Sequence, residues 1–389
     1  MIHGIHRTPP MDRVIYGIPL AQALADEIAR VDARAVYVLA SGTLNRQTDV
    51  VDTVRQVLGN RLAGLYARIG SHTPRIDVVA AANEVRAARA DWLLTVGGGS
   101  VTDAAKMIGL CLGNDVTAPE QLDAFRAVIT ADGRTERPPV RPPALRSIDV
   151  PTTLSAGEFT AMAGCTDTVR QVKESYAHPL MMPHTVILDP AVTVHTPAWL
   201  FLSTGIRAID HCVEAICSHE THPYADAQSV KGLAMLADAL PRVKADPSDL
   251  DARMDAQIGT WLSMGALAAG VPMGASHGIG YVLGAAFDVP HGYTSCIMLP
   301  AVMRWNASAN AERQMIVAAA MGFPGHNAAD VLDAFIRSLG MPRSLAEIRV
   351  PPEHFDAIAE QAMRTNWIPR NPRKIDTPAQ VREILLLAA

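Results

Sequence analysis

An α/β domain built on a parallel sheet, followed by an all-helical domain, is what this sequence predicts, on three observations. Short β-rich runs alternate with alanine-rich helical stretches as far as Pro190. Strand signals then stop and long helical patterns take over, and one strand runs straight into three consecutive glycines at the head of a helix. Such alternation is the βαβα pattern of a buried parallel sheet. The expected division is residues 1–190 for the α/β domain and 191–389 for the helical one.

The elements follow in order. Residues 35–40 (AVYVLA), 65–69, 92–96 (WLLTV), 148–150 and 185–188 (TVIL) have the apolar, β-branched composition of interior strands. Residues 20–29 and 83–90 have helical spacing, and 101–112 follow the glycines as a further helix. The stretch 131–143 (ADGRTERPPVRPP) is polar and proline-rich, a surface loop inside the first domain because strand material resumes after it. Past Pro190, helices are expected over 197–218, 225–239, 252–269 and 328–339, separated by loops rich in Pro and Gly.

Composition narrows the function. Of 389 residues, 49% are apolar and 19% charged, with 34 Lys+Arg against 39 Asp+Glu for a formal charge of −5. A disordered chain is excluded, and there is room for two or three domains. Nucleic acid and anionic membranes are poor partners, since backbone phosphates demand clustered basic charge. No apolar run reaches the roughly 18 to 20 residues that span a bilayer, and the first residues hold no apolar segment of signal-peptide length. The cytoplasm is the expected compartment. The five cysteines are scattered, with no CxxC pair, and read as reduced thiols.

The strand at 92–96 delivers the chain to Gly97, Gly98, Gly99 and Ser100. Strand, glycine turn and helix start in that order let backbone N–H groups and the helix dipole meet a pyrophosphate. Ser100 and Asp103, three residues apart, also match a capping box, so helix capping is the alternative role for this pair. At the end of the second strand stand Ala40, Ser41 and Gly42, with no carboxylate to bind adenosine ribose hydroxyls or repel a 2′-phosphate. NADH and NADPH both stay open, as does a plain turn at Ser41-Gly42.

Three of the thirteen histidines stand out: His211 in TGIRAIDHCVEAI, His277 in GASHGIGYVLG and His291 in FDVPHGYTSCIMLP. Apolar, glycine-containing surroundings suit buried imidazoles that ligate a metal or exchange a proton.

GGGSVTDAAK, PTTLSAGE at 151–158, and Lys173 ahead of HPLMMPHTVILDP resemble, in order and spacing, the iron-containing alcohol dehydrogenase superfamily, from about Gly17 to the C-terminus. The resemblance implies a dehydroquinate-synthase-like fold, with a Rossmann-type domain, a helical domain and a catalytic cleft between them, and a homodimer. It implies that Gly97, Gly98, Gly99 and Ser100, with Asp103 on the same helix start, hold the dinucleotide pyrophosphate. Thr152 and Thr153 would lie along the cofactor beside Ser41, and Lys173 would reach its ribose or phosphates.

Metal-dependent members take an Asp and a His one helical turn apart, then two His fourteen residues apart. His211, His277 and His291 match the three His, but the Asp position is Arg207. A divalent cation facing three imidazoles and a guanidinium is electrostatically poor. Metal binding is expected to be weak or absent, with those three His as ligands if one is held. The alternative for Arg207 is a local ion pair with Asp210. Tyr281 stands where many metal-dependent members have a further His; it is a proton carrier or a packing residue.

PTTLSAGE is shorter than the PTTAGTGSE of metal-dependent members and is similar to the PTTYAGSE of maleylacetate reductases, and Asn371-Pro372-Arg373 resembles the NPR near their end. This implies metal-free, NAD(P)H-dependent reduction of the carbon–carbon double bond of maleylacetate to 3-oxoadipate, late in aromatic-ring catabolism. Arg207 in place of Asn, and Ser276 in place of a second His, are departures that keep a related unsaturated or keto acid open. In that reaction Arg207, His277 and His291 would surround the developing oxyanion, and His291, His211 or Tyr281 would deliver the proton. Arg207, and after it Arg373, would pair a carboxylate of the small acidic substrate. The rivals are a metal-dependent alcohol dehydrogenase or aldehyde reductase, with the three His and a water or Asp210 completing the shell, a lyase of the dehydroquinate synthase type, and a ligand-binding pseudoenzyme.

Overall fold

A computed structural model describes residues 10–129, 135–170 and 172–389. Its strands are β1 (Arg13–Tyr16), β2 (Val36–Ala40), β3 (Leu62–Tyr66), β4 (Trp92–Gly97), β5 (Val128–Ile129), β6 (Thr135–Glu136), β7 (Ser147–Pro151), β8 (Met162–Asp167), β9 (Val172–Ala177) and β10 (Thr185–Leu188). Six of them form one sheet in the order β1-β10-β7-β4-β2-β3, every pair parallel. β8 and β9 form an antiparallel hairpin.

The helices of this part are α1 (Leu20–Arg30), α2 (Gly42–Gln47), α3 (Val50–Leu58), α4 (Arg75–Ala88), α5 (Gly99–Gly113) and α6 (Pro190–Thr193). They cover both faces of the sheet. Val38, Leu94, Ile148 and Ile187 pack on one side with Leu24 and Val51. Leu39 and Leu93 pack on the other with Val78 and Ile108. Successive strand residues point to opposite faces, so a strand buried on both reads as a continuous apolar run. Of the interior strands, β2, β4 and β10 read that way, whereas β7 (SIDVP) carries Ser147 and the fully buried Asp149.

Connections set the position of the glycine turn. From β2 the chain moves outward to β3, returns past β2 to β4, and then proceeds through β7 to β10 on the other side. The direction of winding reverses between β2 and β4. The crevice beyond the carboxyl ends of those two strands is the topological switch point, where ligands of open α/β sheets bind.

Beyond Thr196 the chain forms a second compact unit, Pro197–Ala389. Its helices are α7 (Ala198–Cys217), α8 (Pro223–Ala245), α9 (Leu250–Ser263), α10 (Gly265–Ala268), α11 (Ala275–Phe287), α12 (His291–Ala320), α13 (Ala328–Ser338), α14 (Phe355–Ala362) and α15 (Pro378–Leu387). α7 is buried without interruption from Phe201 to Cys217, which makes it the axis of the unit. α12 contains Pro300 and a non-helical Asn310 at φ −144°, so two helices abut there. Among the described residues no helix is long and apolar enough to cross a membrane.

The α/β and all-α classes are those the sequence predicts, with differences in detail. The strand expected at 65–69 is β3, three residues earlier. Gly64 masked it: a β-carbon there would lie 2.4 Å from the Tyr37 ring, so the missing side chain makes room for a core aromatic. β1, a four-residue edge strand (RVIY), and the β8–β9 hairpin were not anticipated. The helix expected at 83–90 begins at Arg75, and the chain divides after Thr196, so that α6 falls with the sheet. Of the loop expected at 131–143, residues 131–134 lie outside the described residues.

Candidate active site

β4 ends at Gly97, and α5 opens on Gly99 with Gly98 as its N-cap and no side-chain cap. The helix thus starts two residues before the position expected, and the capping-box reading of Ser100 and Asp103 is corrected. Ser100 sits inside the first turn; its Oγ accepts the His72 N–H at 3.2 Å and its carbonyl accepts the Thr73 hydroxyl at 3.1 Å. Asp103 accepts the Gly164 N–H at 3.1 Å and so holds the hairpin.

Close packing explains the glycines. A β-carbon on Gly98 would lie 3.0 Å from Thr153 Cγ2, and one on Gly99 would lie 2.8 Å from Ser155 Oγ. Thr152 donates its N–H to the Gly97 carbonyl at 3.0 Å, which sets Thr152 and Thr153 beside the turn. Ser41 donates its N–H to the Val96 carbonyl at 2.9 Å, so the end of β2 abuts the same turn. An uncapped first turn of a fifteen-residue helix, walled by small side chains, suits a dinucleotide pyrophosphate. Lys173 lies opposite Thr166 in the hairpin, its stem over Gly164.

Lys106, unremarked within GGGSVTDAAK, is a buried strut of this region. Its Nζ donates to the carbonyls of Gly157 at 2.5 Å and Met162 at 2.9 Å and to Thr160 Oγ1 at 3.1 Å, tying α5 to the segment after PTTLSAGE. Burial pushes the neighbouring carboxyls upward, Asp149 to about 6 and Glu158 to about 8.

The second cluster is built on α7. Arg207, Asp210, His211 and Glu214 recur at i, i+3, i+4 and i+7, one face of the helix. Facing residues come from α11 (Ser276, His277, Tyr281) and the first turn of α12 (His291, Ser295). Arg207 Nη1 donates to Ser295 Oγ at 3.2 Å, and Ser295 Oγ donates to Asp210 Oδ2 at 2.7 Å. Ser276 Oγ donates to the same oxygen at 2.8 Å. Among the described residues no direct ion pair joins Arg207 to Asp210, because the carboxylate is turned toward the two hydroxyls.

Glu214 accepts the N–H groups of Gly274 at 2.9 Å and Ser276 at 2.8 Å, and lies 2.8 Å from His277 Nδ1. The His211 and His277 rings are 4.9 Å apart. Tyr281 is the hub of the open side: Arg207 Cζ lies 5.7 Å from its ring centre, His277 6.4 Å and His291 6.3 Å. The structure thus brings together Arg207, His211, His277, Tyr281 and His291.

Electrostatics assign their states. Burial, then the Arg207 charge, takes His277 down to about 3; burial, His277 and Arg207 hold His211 well below its ordinary value. Both imidazoles are neutral, and Arg207 is the lasting cation. His277 Nδ1 faces Glu214, and its Nε2 is buried and without a partner among the described residues; an ionised Glu214 favours the tautomer in which Nδ1 carries the proton and Nε2 accepts.

Asp210 was expected to complete a metal shell in the metal-dependent alternative, whereas Glu214 was not anticipated in a ligand set. Asp210, Glu214 and His277 each offer a ligand atom, all within 4.8 Å of one another. The available signal was the Asp210–Glu214 spacing of four on an apolar helix. Asp210 Oδ2 takes two hydroxyls, and Glu214 takes two N–H groups and the imidazole, while Asp210 Oδ1 is buried with no partner among the described residues. Arg207, hydrogen-bonded to the same Ser295, sets a second positive charge beside any cation held by this group, which weakens its hold on a metal.

Arg373 does not join the cluster. Its guanidinium stacks 3.9 Å over the Trp305 ring and donates to the Trp305 carbonyl at 2.8 Å. Asn371 of the same segment accepts the Ala275 N–H at 3.2 Å and exchanges amide hydrogen bonds with Asn306 at 2.7 and 3.1 Å. The segment therefore anchors the start of α11, and with it His277.

Comparison with known proteins places these features in a family. Residues 11–190 match the iron-containing alcohol dehydrogenase family, and residues 201–389 match the C-terminal part of the Fe-containing alcohol dehydrogenase family. The chain is 34% identical to dehydrogenase FUM7 of Gibberella moniliformis, over 97% of this chain and 96% of that protein. It is 30% identical to maleylacetate reductase 1 of Cupriavidus pinatubonensis, over 94% of this chain and 92% of that protein. The crystal structure of maleylacetate reductase from Agrobacterium tumefaciens superposes with a TM-score of 0.82 at 28% identity, over 100% of this chain and 98% of that one.

Proposed function

Because the chain belongs to the iron-containing alcohol dehydrogenase family, in its maleylacetate-reductase-like branch, we propose that it is an NAD(P)H-dependent reductase of maleylacetate or a related unsaturated or keto acid, working at Arg207 without a bound metal. The observation that carries this reading is a buried guanidinium, held by Ser295, in a cluster of neutral imidazoles. A cation in that setting selects an anionic acceptor, since an unpaired carboxylate would be costly there.

The family supplies the chemistry of hydride transfer: a nicotinamide dinucleotide, when bound, delivers the hydride. Gly97, Gly98, Gly99 and Ser100, with Thr152, Thr153 and Ser41, are the residues that would hold it. Arg207 pairs the substrate carboxylate or the oxygen on which charge develops, taking the electrophilic role that a metal has in other members. His277 offers an acceptor to a substrate hydroxyl or carboxyl proton. Tyr281, 38% exposed and beside Arg207, is the proton donor, with His291 as its neighbour. A cytoplasmic homodimer serving aromatic-ring catabolism completes the reading.

One observation favours a second reading. The Asp210–Glu214–His277 group would let the protein act as a metal-dependent alcohol dehydrogenase or aldehyde reductase. The test is oxidation of NADH and NADPH with maleylacetate by chelator-stripped protein, with bound metal measured alongside. Turnover at a metal content far below stoichiometric supports the first reading. Turnover that returns only with iron or zinc supports the second, and dinucleotide binding with no turnover under either condition rejects both for this substrate.

A further inference from the structure

We propose that Arg46 is the 2′-phosphate clamp of the dinucleotide site, which makes this chain selective for NADPH over NADH. The inference rests on the dinucleotide reading of the glycine turn and adds to it the class of cofactor. It starts from geometry at the switch point. Ala40 of β2 is in register with Val96 of β4, and Ser41, the next residue, is hydrogen-bonded to the Val96 carbonyl. A β-carbon on Gly97 would lie 3.4 Å from the Ser41 nitrogen. A dinucleotide whose pyrophosphate meets the glycine turn therefore carries its adenosine ribose past Ser41 and Gly42.

The side chains there have one sign of charge. Sites selective for NAD place a carboxylate at this strand end, whereas a nearby Arg accommodates the 2′-phosphate of NADP. This chain has Ala40, Ser41 and Gly42, followed one turn later by Arg46. The Arg46 guanidinium folds back over the turn: Nη1 lies 3.0 Å and Cζ 3.7 Å from the place that a β-carbon on Gly42 would take. A side chain at Gly42 would also lie 2.9 Å from the Ala67 carbonyl oxygen, so glycine is what lets the guanidinium settle there.

Arg46 also differs from the guanidiniums around it. Arg55 is paired with Asp52 at 2.5 Å and bonded to Asn45 at 2.8 Å, and Arg68 is paired with Glu84 at 2.6 Å. Among the described residues no carboxylate lies within ion-pair distance of Arg46. It is an uncompensated, exposed cation whose planar fork matches phosphate oxygens, at the place where the ribose 2′ position is expected. Ser41, half-buried beside it, adds a hydroxyl donor.

Calorimetric titration of the full chain with 2′,5′-ADP and 5′-AMP, together with NADPH and NADH binding, tests the assignment without any acceptor substrate. The wild-type protein is expected to bind each 2′-phosphorylated member of the two pairs about tenfold to a hundredfold more tightly. In Arg46→Gln the ratio should collapse to within about threefold, and in Arg46→Lys, which keeps a point charge without the fork, it should be intermediate. Equal affinities in the wild type, or a ratio that survives in Arg46→Gln, overturn the clamp while leaving the dinucleotide site intact. Binding of none of the four ligands by folded protein overturns the dinucleotide reading itself, and the clamp with it.

Discussion

Arg207 and Asp210 lie one turn apart on the same buried helix and are joined only through a third residue: Ser295 Oγ accepts from Arg207 Nη1 at 3.2 Å and donates to Asp210 Oδ2 at 2.7 Å. A direct pair would have occupied the fork of the guanidinium and cancelled its charge at close range. The serine bridge fixes the guanidinium while engaging one of its five donors, and the remainder of the fork is left for an anion.

Replacing Arg207 tests the core of the functional reading. Arg207→Asp restores the carboxylate that metal-dependent members carry and removes the cation. Activity on an acidic acceptor should fall by about two orders of magnitude, the usual size of losing one electrophilic donor. Bound iron or zinc, measured by elemental analysis, should rise. If both stay as they are in the wild type, Arg207 is a structural residue and the proposed mechanism fails.

Ser295→Ala separates positioning from charge. The guanidinium remains but loses its anchor, and Asp210 keeps only the Ser276 hydroxyl. We expect KM for the acidic acceptor to rise about tenfold with a smaller change in kcat, at a stability cost of about 1–2 kcal/mol. Ser295→Thr, which retains the hydroxyl, should recover most of the affinity. An unchanged KM in the alanine variant would show that the bridge does not place Arg207 for binding.

Much of this was legible in the sequence because it depended on local pattern. Strands β2, β4 and β10 read as apolar runs, and three glycines between a strand and a helical pattern marked the turn, though not its close packing on Thr153 and Ser155. His211, His277 and His291 stood out by their apolar, glycine-containing surroundings, and the resemblance to metal-dependent alcohol dehydrogenases marked Arg207 as standing where those members have a carboxylate. Long-range partners were not legible. Nothing in the chain near Asp210 indicates that hydroxyls 66 and 85 positions further on would turn it from Arg207. Nor does NPR reveal that its arginine stacks on Trp305 while its asparagine anchors the His277 helix. β3 and the start of α5 were displaced because glycine lowers strand and helix propensity where packing, not propensity, decides.

Glu214→Gln probes the orientation of His277. An amide can receive only some of the three hydrogen bonds that Glu214 takes, and it can direct an N–H at the imidazole, which favours the other tautomer. Activity should fall about tenfold to a hundredfold, as for other partners that orient an imidazole. The ¹⁵N spectrum of His277 should show its proton moving from Nδ1 to Nε2. A fall in activity with an unaltered tautomer would mean that Glu214 acts only by holding the Gly274–Ser276 backbone.

The last prediction concerns stability, at Glu158. This carboxyl is 2% exposed, one of its oxygens has no partner among the described residues, and burial raises it from 4.5 to about 8. The folded protein then holds a proton that the unfolded chain releases above about pH 4.5, so stability falls as pH rises from there through about 8 and levels off beyond. Glu158→Gln removes the titration and keeps the shape. Urea midpoints at pH 5.5 and 8.5 should show the wild type losing on the order of 3 kcal/mol more than the variant between the two conditions. Lys106, whose burial pulls it the opposite way and which Glu158 helps to keep charged, is present in both proteins, so the difference between them reports the carboxyl together with its coupling to Lys106. Equal losses would show that Glu158 is already ionised at pH 5.5, stabilised by Lys106 against its burial.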